Sequence, residues 1–213
     1  CSGICSQSTL SRVEQGSREL DSLTSEMLLG RIGREVTRFE LILNAEDYYL
    51  NQLRIEINEN IEEKNYIKAK EKINLYRQHM PAEGKVHEQF CCYMECRILI
   101  AQNEITEKLS ALLLRAIRYT IPDYLLENCV SRRLYSPVEI ELIRMHITYN
   151  DRKCECNEVE LFLIMDFVTE FYSLKQQEKI EIPLLVDCVK YEIALEKYNR
   201  ALASIERALD IIS

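Results

Sequence analysis

Residues that interrupt helices are scarce in this sequence. Its 213 residues include only five glycines and four prolines, and tryptophan is absent. Four of the glycines lie near the N-terminus, so the long remainder contains Gly84 alone. Strands joined by short turns need glycine, asparagine and aspartate at regular short intervals. The scarcity therefore argues against a β-sheet fold and predicts an all-α fold class built from long helices.

An excess of positive charge and long apolar runs are also missing. The net charge of −8 and the pI near 5.1 argue against a chain that coats nucleic acid non-specifically. The sequence has no run of about 18 apolar residues and no N-terminal secretion signal, so we expect no membrane association. Because 47% of the residues are hydrophobic, we expect a folded core.

The nine cysteines follow no metal-binding pattern. No Cys-x-x-Cys pair occurs, and Cys154-Glu-Cys156 has no matching second pair, so we expect no metal site. Five cysteines lie among apolar residues at helical spacing: Cys91, Cys92, Cys96, Cys129 and Cys188. Thiols in such positions act as small hydrophobes in a core. We therefore predict free thiols and a reducing, cytoplasmic location.

Catalytic motifs are equally scarce. The histidines His79, His87 and His146 have no Ser or Cys neighbour at a motif spacing, and there is neither a glycine-rich phosphate loop nor a His-Glu-x-x-His motif. His79 and His87 flank a turn, so we expect both at the surface. We predict no catalytic residue, no cofactor and no enzymatic activity.

Residues 3–18 have the pattern of one short, capped helix. Ser6 is a good N-cap, Leu10 and Val13 form an apolar stripe, and Gly16 supplies a left-handed residue at the end. The residues that point away from this stripe are Gln7, Ser8, Ser11 and Arg12. Gln pairs with adenine edges, Arg with guanine edges and Ser with either, so this face suits the major groove of DNA.

The run Ser-Gln-Ser-Thr-Leu-Ser-Arg-Val-Glu-Gln-Gly from Ser6 to Gly16 resembles the recognition helix of Cro/cI-type (XRE) helix-turn-helix regulators. The resemblance implies that Leu10 and Val13 pack inward and that residues 23–33 form the next helix and its exit. It also implies the DNA-binding residues, which are Ser6, Gln7, Ser8, Ser11, Arg12, Ser17 and Arg18. The family has two further helices before the recognition helix. We therefore expect an N-terminally truncated product of a longer regulator, which binds DNA weakly or not at all in this form.

The rest of the chain consists of paired helical patterns. Their predicted ranges are 45–64 with 66–80, 85–101 with 105–119, a third pair that opens at Ser136-Pro137-Val138-Glu139 and ends with 159–174, and 183–195 with 198–212. In the second helix, Ile67, Ala69, Ile73 and Tyr76 are spaced for packing. Lys64-Asn65-Tyr66 followed by Ala69 matches Glu196-Lys197-Tyr198 followed by Ala201, which resembles the tetratricopeptide repeat. An irregular helical bundle is the alternative.

A stack of helical hairpins has a concave face lined by the first helix of each pair, which suits a peptide. Polar residues at helical spacing on those first helices are the peptide-binding candidates: Asn51, Arg54, Asn58, Tyr93, Arg97, His146 and Asn150. Asn bonds to both a donor and an acceptor of a peptide backbone, and Arg holds a carboxylate by two bonds. The same residues also fit an ordinary solvated outer face.

A Cro/cI-like head with a helical-repeat body resembles the peptide-responsive regulators of the Rgg and PlcR type. The resemblance implies a partial DNA-binding head over 1–35, a linker helix over 36–44 and a superhelix over 45–213. It also implies a homodimer that binds double-stranded DNA through an intact head and a short signalling peptide through its body. The alternative is a repeat scaffold that binds a protein partner without binding DNA.

Overall fold

The computed structural model of this chain describes residues 2–34, 44–82, 84–124, 134–149 and 155–212, without the side chains of 155–159 and 174–176. Within these ranges the regular secondary structure is entirely helical, which confirms the all-α fold class. The helices are α1 (Gln7–Glu14), α2 (Ser22–Arg31), α3 (Ala45–Glu62), α4 (Tyr66–His79), α5 (Lys85–Ala101), α6 (Glu107–Thr120), α7 (Pro137–Tyr149), α8 (Glu155–Phe171), α9 (Leu174–Ala194) and α10 (Tyr198–Ile212). The predicted linker helix over 36–44 lies almost wholly outside the described residues.

The chain forms two compact units that divide it differently from the predicted head and body. The first unit is Cys1–Gly30 with Glu35–Cys129, and the second is Arg31–Arg34 with Val130–Ser213. In the first unit, α3 packs on α4, α4 on α5, α5 on α6, and α3 also reaches α5. In the second unit, α9 packs on α7, α8 and α10. In both units, most of the packed pairs are helices that follow one another in the chain.

Three helix pairs share one turn geometry. Lys64, Asn103 and Glu196 have positive φ angles of 61°, 58° and 60°, and each lies two residues beyond the end of α3, α5 or α9. The amide of the following residue donates to the carbonyl five residues back, at 2.7 Å for Asn65 to Asn60 and at 2.8 Å in the other two turns. This Schellman arrangement satisfies carbonyls that the helix end would leave free. The matching sequences around Tyr66 and Tyr198 therefore adopt the same turn.

The core of the first unit lies between α3, α4 and α5. Its buried side chains are Leu50, Leu53, Ile57, Ile61, Ala69, Ile73, Tyr76, Cys91, Met94 and Ile98. Tyr76 and Ile57 are completely buried, as the apolar spacing of α3 and α4 predicts. Ile67, however, is 75% exposed, so its predicted packing is wrong. It lies next to Tyr66 at the first turn of α4, on the side that faces solvent.

The sequence predicts helix starts at Ser136 and at Pro183 in the second unit, and the structure confirms only the first. The capping box predicted before α7 is confirmed, because the Glu139 amide donates to Ser136 Oγ at 3.3 Å and the Ser136 amide donates to Glu139 Oε2 at 2.9 Å. Glu139 also forms a buried ion pair with Arg31. Pro183, in contrast, does not begin a helix, since it lies inside α9. The apolar residues just after it, Leu184 and Leu185, are buried and pack the helix against its neighbours.

Candidate functional site

Helix α1 is capped at both ends as the sequence predicts. The Thr9 amide donates to Ser6 Oγ at 3.1 Å, which satisfies one of the free amides of the first turn. Gly16 follows the helix with a φ of +69°, and the Ser17 amide donates to the Arg12 carbonyl at 2.9 Å. A left-handed residue at this position favours glycine, since a Cβ would strain the backbone.

The polar face of α1 is open to solvent. No residue of α1 is fully buried, and Leu10 and Val13, which were expected to pack inward, are half-buried. All seven predicted DNA-binding residues are exposed: Ser6, Gln7, Ser8, Ser11, Arg12, Ser17 and Arg18. Ser11 accepts a hydrogen bond from Gln15 at 3.4 Å, and the Ser17 hydroxyl donates to the Arg12 carbonyl at 3.0 Å. The face thus presents hydrogen-bonding groups on a short helix held chiefly through its ends.

The segment before α1 packs against the end of α6. A Cβ placed on Gly3 would lie 1.8 Å from the Thr120 carbonyl oxygen and 3.2 Å from Pro122 Cδ. Gly3 has a φ of +79°, so both its conformation and its surroundings require glycine. This contact anchors the N-terminal residues within the first unit.

Helix α2 is bound to the hairpins far more tightly than α1. Asp21 caps it, because Oδ1 accepts from the Thr24 amide at 2.8 Å and Oδ2 from the Thr24 hydroxyl at 2.7 Å. The buried Ser22 amide donates to Asp47 Oδ1 of α3 at 3.3 Å. Leu23 and Met27 of α2 are also buried. Capping and burial therefore fix the start of α2 against the first hairpin.

A chain of three polar side chains extends this attachment into the core. Asp21 Oδ1 lies 3.0 Å from His87 Nε2, and His87 Nδ1 lies 2.7 Å from the Tyr76 hydroxyl. His87 is 1% exposed, so the prediction that it lies at the surface is wrong. His87 lies in the first turn of α5, and the packing of α4 on α5 brings its ring beside Tyr76. His79, by contrast, is exposed as expected.

The surroundings of these three side chains shift the pKa values of Asp21 and Tyr76. Burial opposes ionisation of Asp21, but the hydrogen bond and charge of His87 and the bonds from Thr24 outweigh it and lower the Asp21 pKa to about 2. Burial raises the pKa of Tyr76 above its ordinary value. The chain thus consists of an ionised carboxylate, an imidazole and a neutral phenol. No sequence motif marks it, and the only local signal that could have located it is the capping spacing of Asp21 and Thr24.

Two of the predicted peptide-binding residues serve packing within the first unit. Asn51 and Arg54 are buried, and the Arg54 Nη2 donates to Asn51 Oδ1 at 3.0 Å. Arg54 Nη1 also donates to Glu26 Oε2 of α2 at 2.9 Å. These bonds connect α3 with α2. Their placement favours a structural role for both side chains.

Three other predicted residues come together on a partly exposed surface where α3 meets α5. The Asn58 amide nitrogen donates to the Arg54 carbonyl at 2.8 Å, and Asn58 Oδ1 accepts a hydrogen bond from Arg97. The Arg97 guanidinium carbon lies 5.9 Å from the centre of the Tyr93 ring. All three side chains are half-buried. We call Asn58, Tyr93 and Arg97 the α3–α5 cluster.

The last two predicted peptide-binding residues belong to α7 or follow it in the sequence. His146 belongs to α7 of the second unit and is buried. Asn150 lies outside the described residues.

Four of the predicted core cysteines are described by the structure. Cys91, Cys92, Cys96 and Cys188 are buried thiols outside any disulfide, as predicted, while Cys129 lies outside the described residues. Burial raises the pKa of Cys91 to about 12 and also raises the pKa values of Cys92 and Cys96, which makes these thiols unreactive. Within the part of the chain that the structure describes, no group of three metal-ligating side chains comes together.

Helices that could cross a membrane are likewise not found in the described ranges.

Comparisons with known proteins give no relative, because no protein-family model, curated protein or solved structure matches this chain significantly. The candidate sites therefore rest on geometry alone: the polar face of α1, the buried Asp21–His87–Tyr76 chain and the α3–α5 cluster.

Proposed function

We propose that this chain is part of a cytoplasmic transcriptional regulator that contacts DNA through α1 and senses a peptide or protein ligand through its helical hairpins. The proposal includes a homodimer and involves no chemical step. The observation that carries it is the contrast between an α1 that exposes Gln7, Ser8 and Arg12 and an α2 that is bonded into the hairpins.

The polar face of α1 has the chemistry of a base-reading helix. An amide, hydroxyls and one guanidinium lie within its first two turns, and these groups make the specific contacts of major-groove recognition. Ser17 and Arg18 follow the helix and are exposed, in the position from which side chains contact phosphates. The overall acidity restricts DNA contact to this one small face.

Attachment of α2 to the hairpins supplies a route from ligand to head. Arg54 bonds to Glu26 of α2, and the backbone carbonyl of Arg54 accepts from Asn58 of the α3–α5 cluster. A ligand that moves Asn58 therefore acts on Arg54, whose side chain holds α2 through Glu26. A ligand that moves Arg97 acts on the same residue through Asn58. Contiguous hydrogen-bonded side chains of this kind are able to carry coupling between two sites.

The DNA-binding part is tested with the full-length gene product. Duplexes selected from a random-sequence library should converge on one motif, and Arg12→Ala should weaken binding to it by about 10-fold or more, equivalent to about 1–3 kcal/mol. Glu14→Ala, on the other side of the same helix, is the matched control. Failure to enrich any motif, or equal affinity for the Arg12 variant, contradicts the assignment of α1.

The α3–α5 cluster is the best-formed site for a peptide. Asn58 and Arg97 offer an amide and a guanidinium beside the Tyr93 ring, and each is half-exposed. A guanidinium binds a carboxylate through two parallel hydrogen bonds, so an acidic side chain or a free C-terminus is the group that Arg97 fits. Tyr93 adds an apolar surface for a neighbouring residue.

Calorimetry with the best binder from a pool of synthetic octapeptides tests this site. Asn58→Ala should lower its affinity about 10-fold, since it removes the acceptor that holds the Arg97 guanidinium in place. Asn60→Ala is a close control, because Asn60 lies on the same helix and donates to the Glu56 carbonyl at 2.7 Å just as Asn58 donates to that of Arg54. Equal losses in both variants exclude the cluster as the binding site.

A repeat scaffold that binds a protein partner is the second candidate. It is favoured by the close contact of Gly3 with the Thr120 carbonyl, which places the N-terminal residues against the hairpins in one compact unit. In that case the peptide arm of the experiments succeeds and the DNA selection yields no motif.

A further inference from the structure

The last helix exposes a row of large apolar side chains. Tyr198, Leu202, Ile205, Leu209 and Ile212 are between 40% and 66% exposed. They succeed one another at intervals of four, three, four and three residues, which places them on one face along the whole length of α10. We call these five residues the α10 stripe.

In the first unit, α5 covers the middle of the equivalent face of α4. Aligning Tyr66 with Tyr198 pairs Ile73 of α4 with Ile205 of α10. Ile73 is 1% exposed because α4 packs against both α3 and α5, whereas Ile205 is 40% exposed. The centre of the α10 stripe therefore corresponds to a position that the first unit buries.

The composition of the stripe differs from that of α4 in a way that favours an apolar partner. Where α4 has Lys70 and Arg77, whose side chains bond to Gln102 and Glu95, α10 has Leu202 and Leu209. A helix such as α5 covers α4 with polar groups at these edges. The α10 stripe instead requires an apolar partner with the same spacing, and a second α10 has that spacing.

The size of the stripe is sufficient for self-association. Five large side chains at these exposures leave on the order of 500 Å² of apolar surface, and two copies together reach the ~1,000 Å² that a specific interface needs. An antiparallel arrangement also sets Asn199 of one copy beside Glu206 of the other. These two exposed residues border the stripe on the same side, and an amide donates readily to a carboxylate.

We propose that a second copy of this chain covers the α10 stripe with its own α10, antiparallel to the first. The inference rests on the proposed function for the expectation of a homodimer, and it assigns the surface. A contact of this kind closes the apolar face by two-fold symmetry and leaves no open end for further addition.

Sedimentation equilibrium of the whole chain tests the proposal. Concentrations of about 1 to 100 µM are suitable, because they are on the order of typical interface dissociation constants. The unaltered chain should be a dimer, and the double variant Leu202→Glu with Leu209→Glu should raise the dimer dissociation constant at least 100-fold. Leu209→Gln alone should raise it about 10-fold. The control is Ile67→Glu, since Ile67 is an apolar residue of α4 that is 75% exposed, and its dissociation constant should equal that of the unaltered chain.

A charge exchange tests the antiparallel orientation. Asn199→Glu should weaken the dimer about 3- to 10-fold because it brings two carboxylates together, and adding Glu206→Lys should restore it. In a parallel pair these residues do not meet, so the exchange has no effect.

A chain that stays monomeric at 100 µM overturns the proposal and leaves a helix outside this sequence as the occupant. Equal dissociation constants for the Ile67 and Leu209 variants also overturn it. A dimer whose dissociation constant is unchanged by Leu202→Glu with Leu209→Glu overturns the α10 assignment alone, whereas a monomer also removes the homodimer from the proposed function. The DNA and peptide experiments test the rest of that function separately.

Discussion

The α3–α4 and α9–α10 hairpins begin from the same sequence pattern and the same turn, yet they end in different surroundings. Tyr66 and Tyr198 start their second helices after identical Schellman turns. In the first hairpin α5 covers α4, and Tyr76 is bonded to His87. In the second, Ala208 stands in place of Tyr76, and the α10 stripe is exposed. A repeated local pattern thus fixes the hairpin, while the next element decides what the hairpin can bind.

The largest effect is expected where the two hairpins differ in burial. Ile73→Ala should lower the free energy of unfolding of the first unit by about 3 kcal/mol, because it leaves a cavity in a closed core. Ile205→Ala should cost less than about 1 kcal/mol in a monomer, since its side chain is partly solvated. Urea denaturation of both variants, in the monomeric Leu202→Glu, Leu209→Glu background, measures the difference. Equal losses would show that the two faces are covered alike.

Removal of the imidazole should have the next largest effect. His87→Leu leaves the Tyr76 hydroxyl and the Asp21 carboxylate without their shared partner, which should cost about 2–3 kcal/mol. His79→Leu, at an exposed position, should change stability by less than about 0.5 kcal/mol. Urea midpoints give both values, and hydrogen exchange should show the loss first at the start of α2. A His87 variant as stable as its control would mean that the polar chain contributes nothing.

The hydrogen-bonded Asp21–His87–Tyr76 chain predicts that the first unit loses stability in acid. The Asp21 pKa is about 2 in the folded protein against an ordinary value of 3.8, so the ionised carboxylate stabilises the fold at neutral pH. This contribution of about 2 kcal/mol falls as the pH drops from about 4 towards 2 and is lost below that.

Comparison of Asp21→Asn with the unaltered chain isolates this contribution. The free energies of unfolding should differ at pH 7 and converge near pH 2. A constant difference across that range would mean that Asp21 titrates at its ordinary pKa.

The smallest effect concerns the feature that the two hairpins share. Lys64→Gly and Glu196→Gly should each stabilise the protein by about 0.5–1 kcal/mol, because glycine adopts a positive φ without the steric cost of a Cβ. Differential scanning calorimetry should give similar gains for the two variants. A gain at one turn and a loss at the other would show that the turns are not equivalent.

Much of the fold was accessible from local sequence signals. The bounds of α5 and α10, the capping box of Ser136 and Glu139, and the ends of α1 follow from caps, spacing and sparse glycine, all of which act within a few residues. Pro183 was misleading, because α9 continues through a residue that usually begins or ends a helix, and the residues just after it are packed in the core.

The candidate sites also combine features that local sequence sets with features that tertiary contacts set. The sequence by itself determined that α1 is a short capped helix with a polar face and that α3 and α5 carry Asn58, Tyr93 and Arg97, since helical spacing decides which residues share a face. Tertiary structure alone decided that Arg54 is buried by its pairing with Glu26 and that His87 joins Asp21 to Tyr76. Those contacts connect residues 28 and 66 positions apart, and no local pattern encodes which distant partner will neutralise a buried polar group.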